Sequence, residues 1–304
     1  MKIFLAQIKP YLGNVSKNLE LMIEVIKKQI EEKNEVVIFP ELSLTGYLLE
    51  EMVYDVAISK VPDELLELSK DISIVFGAVE LGKDYYYYNS AFYLEDGEVK
   101  HIHRKIYLPT YGLFDEGRYF KEGNRIRAFE TKYGKVGMLI CEDVFHLTSS
   151  YILSEDGANI VYVLANSPLR MSDKGLEIKN IWESIGKASV VSNTNFWIVS
   201  NRVGVEDGVT FWGGSFAINP IGEIIKKLKV LEEDGATVSI EFKELSKARA
   251  TGSGKNVKLD LVLNELNRIK QNKMNKYMVI TTNNNNNYNN NNNKKFWIRG
   301  ENLD

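Results

Sequence analysis

The chain has little of several things that would place it quickly. One cysteine in 304 residues allows no internal disulfide and predicts a reducing, cytoplasmic compartment. Only three histidines are present. His101 and His103 share one strand face and His146 follows an acidic cluster, a set that suggests no Cys–His pair, and no metal site is expected of it. No apolar run approaches the ~20 residues that a membrane span needs. Met1 to Gln7 is interrupted at once by Lys9 and Pro10, too short for a secretory leader and readable as a first strand. The net charge of −3 argues against broad binding to nucleic acid. Internal repeats and a linker between folded domains are absent too.

What is present is a 44% hydrophobic chain, enough for a substantial core, with helical and strand periods in alternation. Ile3 to Ile8 reads as a strand. Ser16 reads as the cap of an amphipathic helix to Lys33. Glu35 to Phe39 is a short apolar run typical of a strand covered on both faces. A helix from Asp63 to Lys70 leads to strands at Ile72–Val79 and Tyr85–Leu94, and Asp96-Gly97 turns the chain into Val99–Ile102. The Tyr85–Tyr88 run reads as sheet surface. His103 to Phe120 is a loop rich in aromatic and charged residues. Phe129 and Tyr133 to Ile140 form a hairpin. Further strands are expected at Ile160–Leu164, Trp197–Ser200, Ile224–Lys229 and Ala236–Ile240, with a strand and a tight turn over Phe211–Glu223. Helices are expected at Leu147–Asp156, Lys174–Ala188 and Leu259–Ile269. The pattern is that of a mixed α/β protein. Residues 1–270 form the expected domain. Residues 271–304, asparagine-rich from Thr281 to Lys295, form an expected disordered tail because they offer no apolar surface to bury.

Three chemically notable side chains stand where strands or turns give way to loops: Glu41, Lys105 and Cys141. A lone buried cysteine is most often structural, and a carboxylate after a strand can simply face water. Together, however, the three suit acyl transfer. A thiol has an unperturbed pKa of ~8.5, so attack at neutral pH needs a base to take its proton. The same carboxylate can protonate a leaving amine and then activate water. An ammonium, with the backbone N–H of Glu142, can stabilise a tetrahedral oxyanion. Their spacings, 64 and 36 residues, leave room for convergence without showing it.

The surrounding residues carry a resemblance. Phe39-Pro40-Glu41-Leu42, Arg104-Lys105-Ile106-Tyr107-Leu108-Pro109 and Leu139-Ile140-Cys141-Glu142-Asp143 resemble, in this order, the three signatures of the nitrilase, or carbon–nitrogen hydrolase, superfamily. Phe211 to Glu223 resembles its later Gly-Gly-Ser strand. The resemblance implies a four-layer α-β-β-α sandwich that assembles as a homodimer or larger homo-oligomer. It also implies a cofactor-independent hydrolase with Glu41, Lys105 and Cys141 as catalytic residues, and Lys105 and the Glu142 amide around the oxyanion.

Leu108 to Glu116 and Cys141-Glu142-Asp143 are similar in detail to the glutaminase domain of glutamine-dependent NAD synthetases. That branch implies a substrate pocket with Tyr47, Tyr111, Glu116, Phe145 and Ser167, in which Glu116 meets the α-amino group of glutamine and Asp143 and Phe145 shape the floor. A loop salt bridge with Arg118 is the alternative for Glu116. No Ser-Gly-Gly-x-Asp-Ser pyrophosphate loop occurs, and Thr251–Asn256 lacks the residues of a phosphate loop, reading as a flexible loop instead. NAD synthesis is therefore not expected of this chain alone. The expected activity is thiol-dependent hydrolysis of a small amide, glutamine first. An aliphatic or ω-amidase, an N-carbamoyl hydrolase, a nitrilase, a non-catalytic scaffold, or an ammonia-supplying subunit of a separate synthetase chain are the alternatives.

Overall fold

A computed structural model describes residues 1–169, 177–251 and 258–288, with side chains to residue 274. It divides into two compact units, Met1–Gly254 and Lys255–Asp304. The strands of the first unit are β1 (Lys2–Gln7), β2 (Val36–Ile38), β3 (Ser73–Leu81), β4 (Tyr87–Glu95), β5 (Glu98–Arg104), β6 (Phe129–Thr131), β7 (Gly134–Ile140), β8 (Ile160–Ala165), β9 (Phe196–Asn201), β10 (Val203–Glu206), β11 (Val209–Trp212), β12 (Phe216–Ile218), β13 (Ile224–Lys227) and β14 (Asp234–Ser239). Its helices are α1 (Val15–Glu31), α2 (Val53–Val56), α3 (Asp63–Leu68), α4 (Glu116–Tyr119), α5 (Leu147–Glu155), α6 (Glu177–Asn193) and α7 (Lys243–Thr251).

Two six-stranded sheets result, ordered β14-β1-β2-β3-β4-β5 and β13-β12-β9-β8-β7-β6, with β10 and β11 as a separate ribbon. The central pairs β1–β2, β2–β3, β7–β8 and β8–β9 are parallel, so their connections must cross over the sheet. Strand period 2 sorts the residues. In β2, Val36 and Ile38 face the second sheet and join a core with Val136, Met138, Val161 and Val163. Val37 faces the other way, onto Met22 and Ile26 of α1 and Leu65 of α3. The second sheet is backed by Leu153 of α5 and Ile178, Trp182 and Val190 of α6. This is the expected four-layer α-β-β-α sandwich.

The differences from expectation are local. The cap of α1 is Asn14, whose side chain accepts from the Lys17 N–H at 3.1 Å, not Ser16. The β10–β11 ribbon, turned at Asp207-Gly208, takes Phe211 and Trp212 from the expected Phe211–Glu223 strand and turn, and β10 was not expected. Helix α8 (Leu259–Tyr288), in the second unit, runs past the expected end at Ile269 and into the asparagine-rich segment, as helix propagation beyond a formed nucleus allows. The expected boundary after residue 270 thus falls inside α8. The start of the Lys174 helix, the Thr251–Asn256 loop beyond Thr251 and the tail from residue 289 lie outside the described residues. Among the described residues, no helix is long and apolar enough to cross a membrane.

Candidate active site

Glu41 and Lys105 belong to the first sheet, Cys141 to the second, and each follows the end of its strand or strand run. After β2 the chain passes Phe39 and Pro40 and turns at Leu42, whose φ is +46°. Gly77 of β3 makes room there: a Cβ on it would lie 2.3 Å from the Leu42 nitrogen. Lys105 follows β5, held by its N–H to the Asn89 carbonyl (2.9 Å) and by its carbonyl to the Gly123 N–H (2.8 Å). Cys141 follows β7 and opens a 3₁₀ turn, Cys141–Phe145, with φ +42°. A non-glycine residue in that region is strained, and such strain gathers at functional turns.

The three side chains converge in a buried charged cluster. Lys105 is fully buried, Glu41 nearly so, and Cys141 is 7% exposed. Lys105 Nζ donates to Glu41 Oε1 at 2.8 Å and to Glu116 Oε1 at 2.7 Å. Asn89 Nδ2 donates to Glu41 Oε1 at 2.8 Å, and Tyr47 OH to Glu116 Oε1 at 2.7 Å. Asn166 Nδ2 donates to the Glu41 carbonyl at 2.8 Å and so ties the two sheets together. An ammonium has three protons; two are committed here, leaving one for a ligand. Glu41 Oε2, Glu116 Oε2, Asn89 Oδ1 and Asn166 Oδ1 are buried with no hydrogen-bond partner among the described residues.

Burial shapes the charges. It pushes the Cys141 thiol well above its ordinary pKa, a shift reinforced by Glu41 and opposed by Lys105 and the Asn166 N–H. Burial alone would lower Lys105, but the Glu116 and Glu41 carboxylates outweigh it and hold the ammonium well above the usual lysine range. Glu116 is pushed up to about 7, by burial first and by Glu41, against the pull of Lys105. Tyr47 is raised by burial and by the same carboxylates.

Cys141 lines a cavity of about 270 Å³ with Tyr111, Glu142, Phe145, Ser167 and Trp182. Tyr111, Phe145 and Ser167 thus share the walls of one cavity with Cys141. The Tyr111 hydroxyl donates to Glu142 Oε2 at 2.9 Å, giving the Glu142 side chain a contact that was not foreseen. Tyr47 and Glu116 line a neighbouring cavity of about 300 Å³ and reach the thiol's surroundings through Lys105. The Glu116–Arg118 salt bridge is replaced by the Lys105 contact, and the Arg118 guanidinium lies over the Tyr119 ring at 5.2 Å. Asp143 does not shape the pocket floor. It is fully buried and bonded to backbone N–H groups and His103.

Sequence reasoning missed Asn89, Asn166 and Trp182. Trp182 Nε1 donates to Ser167 Oγ at 3.0 Å, and its ring meets Phe145 edge-on at 5.5 Å. Asn166 follows a buried strand as Glu41 and Cys141 do, a signal that could have found it. Among the described residues, no three His, Cys, Asp or Glu side chains gather as they would around a metal ion.

Comparison with known proteins gives the class of this fold and cluster. The Carbon-nitrogen hydrolase family profile matches residues 2–250, so the chain belongs to that family. It is 33% identical over 237 residues to a glutamine-dependent NAD(+) synthetase of Acinetobacter baylyi, covering 77% of this chain and 43% of the relative. The structure of the corresponding Acinetobacter baumannii enzyme, with ADP bound, superposes with a TM-score of 0.68 at 33% identity, covering 78% of this chain and 44% of that one. A carbon–nitrogen hydrolase from Helicobacter pylori shares the fold at 22% identity with a TM-score of 0.77, covering 88% and 98% of the two chains. The chain therefore spans less than half the length of the synthetases it matches.

Proposed function

We propose that the protein hydrolyses a small-molecule amide through a cysteinyl thioester, with glutamine or a glutamine-like amide as substrate. The observation that carries this reading is the buried Glu41–Lys105 contact of 2.8 Å beside a cavity lined by Cys141, whose φ is +42°. Glu41 takes the thiol proton as Sγ bonds to the amide carbon, and the carbonyl π electrons move onto oxygen. The third Lys105 proton and the Glu142 N–H receive that oxyanion. The intermediate collapses, the C–N bond breaks, and Glu41 delivers the proton to nitrogen so that ammonia leaves. Water then attacks the thioester and gives a proton to Glu41. The C–S bond breaks, the acid departs, and Glu41 returns the proton to sulfur. No cofactor is required.

Tyr111, Glu142, Ser167, Phe145 and Trp182 give the cavity both polar and aromatic walls, suited to a short side chain with a polar end. The match to one half of glutamine-dependent synthetases favours glutamine among amides. The same coverage supports a second reading, in which the ammonia serves a separate synthetase chain. Ammonia release from a panel of amides, by native protein and by Cys141→Ala, tests the first reading. Glutamine-dependent activation of a co-purifying synthetase tests the second. Equal activity of the native and Cys141→Ala proteins would end the proposal.

A further inference from the structure

Lys105 and Cys141 must meet at one substrate oxygen and carbon, yet they hang from different sheets. The Glu41 carboxylate does not fix the distance between them, because its partners Asn89 and Lys105 both belong to the first sheet; only the Glu41 carbonyl reaches the second, through Asn166. One carboxylate touches both sides. Asp143 Oδ1 accepts the N–H groups of Ile106 (3.0 Å) and Tyr107 (3.1 Å), the two residues after Lys105. Asp143 Oδ2 accepts the N–H of Ile140 (3.0 Å), the residue before Cys141. Its remaining contact is His103 Nε2 at 2.9 Å, two residues before Lys105 on β5. With three N–H groups already donating to it, the carboxylate acts as an acceptor, so His103 presents Nε2–H. Asp143 is fully buried and His103 nearly so, which keeps water from substituting for either partner.

We propose that Asp143, backed by His103, is a positioning residue that holds the Lys105 ammonium and the Cys141 thiol in register across the two sheets. This rests on the hydrolase reading above but assigns work to residues that touch neither substrate nor reacting atoms. An acidic residue next to a nucleophile invites a role in proton transfer. Here all four of its hydrogen-bond contacts are spent on structure, and it is absent from the cavity lining. Its effect on the reaction passes through geometry, where a misplacement of order 1 Å can cost about 100-fold in rate.

The test uses the full chain in four forms: native, His103→Leu, His103→Gln and Asp143→Asn. Leucine removes the donor, whereas glutamine returns one. Two rates are measured below each protein's Tm: turnover of the amide that native protein hydrolyses, and alkylation of Cys141 by iodoacetamide. His103→Leu is expected to lower kcat roughly 10-fold or more with KM within about two-fold, and His103→Gln to recover most of that loss. Asp143→Asn, which leaves the Ile140 N–H without its acceptor, is expected to fall further, by about 100-fold. Alkylation should slow in the same order. Native kcat, KM and alkylation rates in His103→Leu, even with a lowered Tm, would make the pair purely structural and overturn the proposal. If Asp143→Asn does not fold, the two His103 variants decide the matter. If native protein releases ammonia from no amide, the hydrolase reading falls, while the alkylation series still decides whether Asp143 and His103 place the thiol.

Discussion

Two buried carboxylates near the same thiol are treated in opposite ways. Asp143 has four contacts, three of them from backbone N–H groups. Glu41 crowds Lys105 and Asn89 onto Oε1 and leaves Oε2 buried with no partner among the described residues. A satisfied buried carboxylate rigidifies its surroundings, whereas an unpaired buried oxygen costs free energy unless something else uses it. On the proposed mechanism, the difference separates the residue that holds the site from the residue that moves protons within it. Glu116 lies between the two cases, with Oε1 shared by Lys105 and Tyr47 and Oε2 unpaired.

The strongest attempt to break this contrast is Glu41→Gln. It preserves shape but removes the base, and kcat should fall by about 10²- to 10⁴-fold with little change in KM, read by steady-state ammonia release. A mild effect would place proton transfer elsewhere. Lys105→Met removes both the proposed oxyanion donor and the counter-charge of two buried carboxylates. It should lose about 10²- to 10³-fold in kcat and about 3–5 kcal/mol of stability, measured by kinetics and urea unfolding. A large kinetic loss without destabilisation would contradict the shared role of that ammonium.

Glu116 sharpens the comparison through pH. Its folded-state pKa of about 7 lies above the 4.5 of a free chain. Between those values the folded protein holds more proton than the unfolded chain. The stabilisation is complete below about pH 4.5 and is lost as pH rises toward 7. Thermal unfolding across that window should show Tm falling by on the order of a few degrees, and Glu116→Gln should flatten the slope. The smallest effect belongs to Tyr111→Phe, which removes the hydroxyl contact to Glu142 at the half-exposed cavity wall. A KM increase of a few-fold, from a net hydrogen-bond contribution of about 1 kcal/mol, is expected with kcat nearly unchanged.

Much of this arrangement was legible in the sequence because its signals are local. Apolar runs that end abruptly at Glu41 and Cys141 mark strand ends, and the continuous run before Glu41 marks a strand covered on both faces. The three motifs, in order, pointed to one cluster and to the sandwich. What the sequence hid is non-local. Glu116 meets Lys105 rather than Arg118, although Arg118 is closer in sequence, because the loop after Pro109 folds back over the site. Asp143 looked like a pocket residue from its place beside Cys141, but a 3₁₀ turn points its carboxylate inward to another strand. Asn89 carries no motif at all. Its role appears only once β4 pairs with β3 and brings it beside Glu41. In α8 the composition predicted an early end, and the helix instead continues to Tyr288.

The central claim is that Cys141 carries the acyl group while Glu41 and Lys105 manage proton and charge. Intact-protein mass spectrometry during turnover of a slow amide substrate tests it most directly. The account predicts a mass increase equal to the acyl fragment, mapped to Cys141, that disappears on hydrolysis and is absent from Cys141→Ala, which should also release no ammonia. Undiminished ammonia release by Cys141→Ala, or an acyl group mapped to another residue, would contradict it.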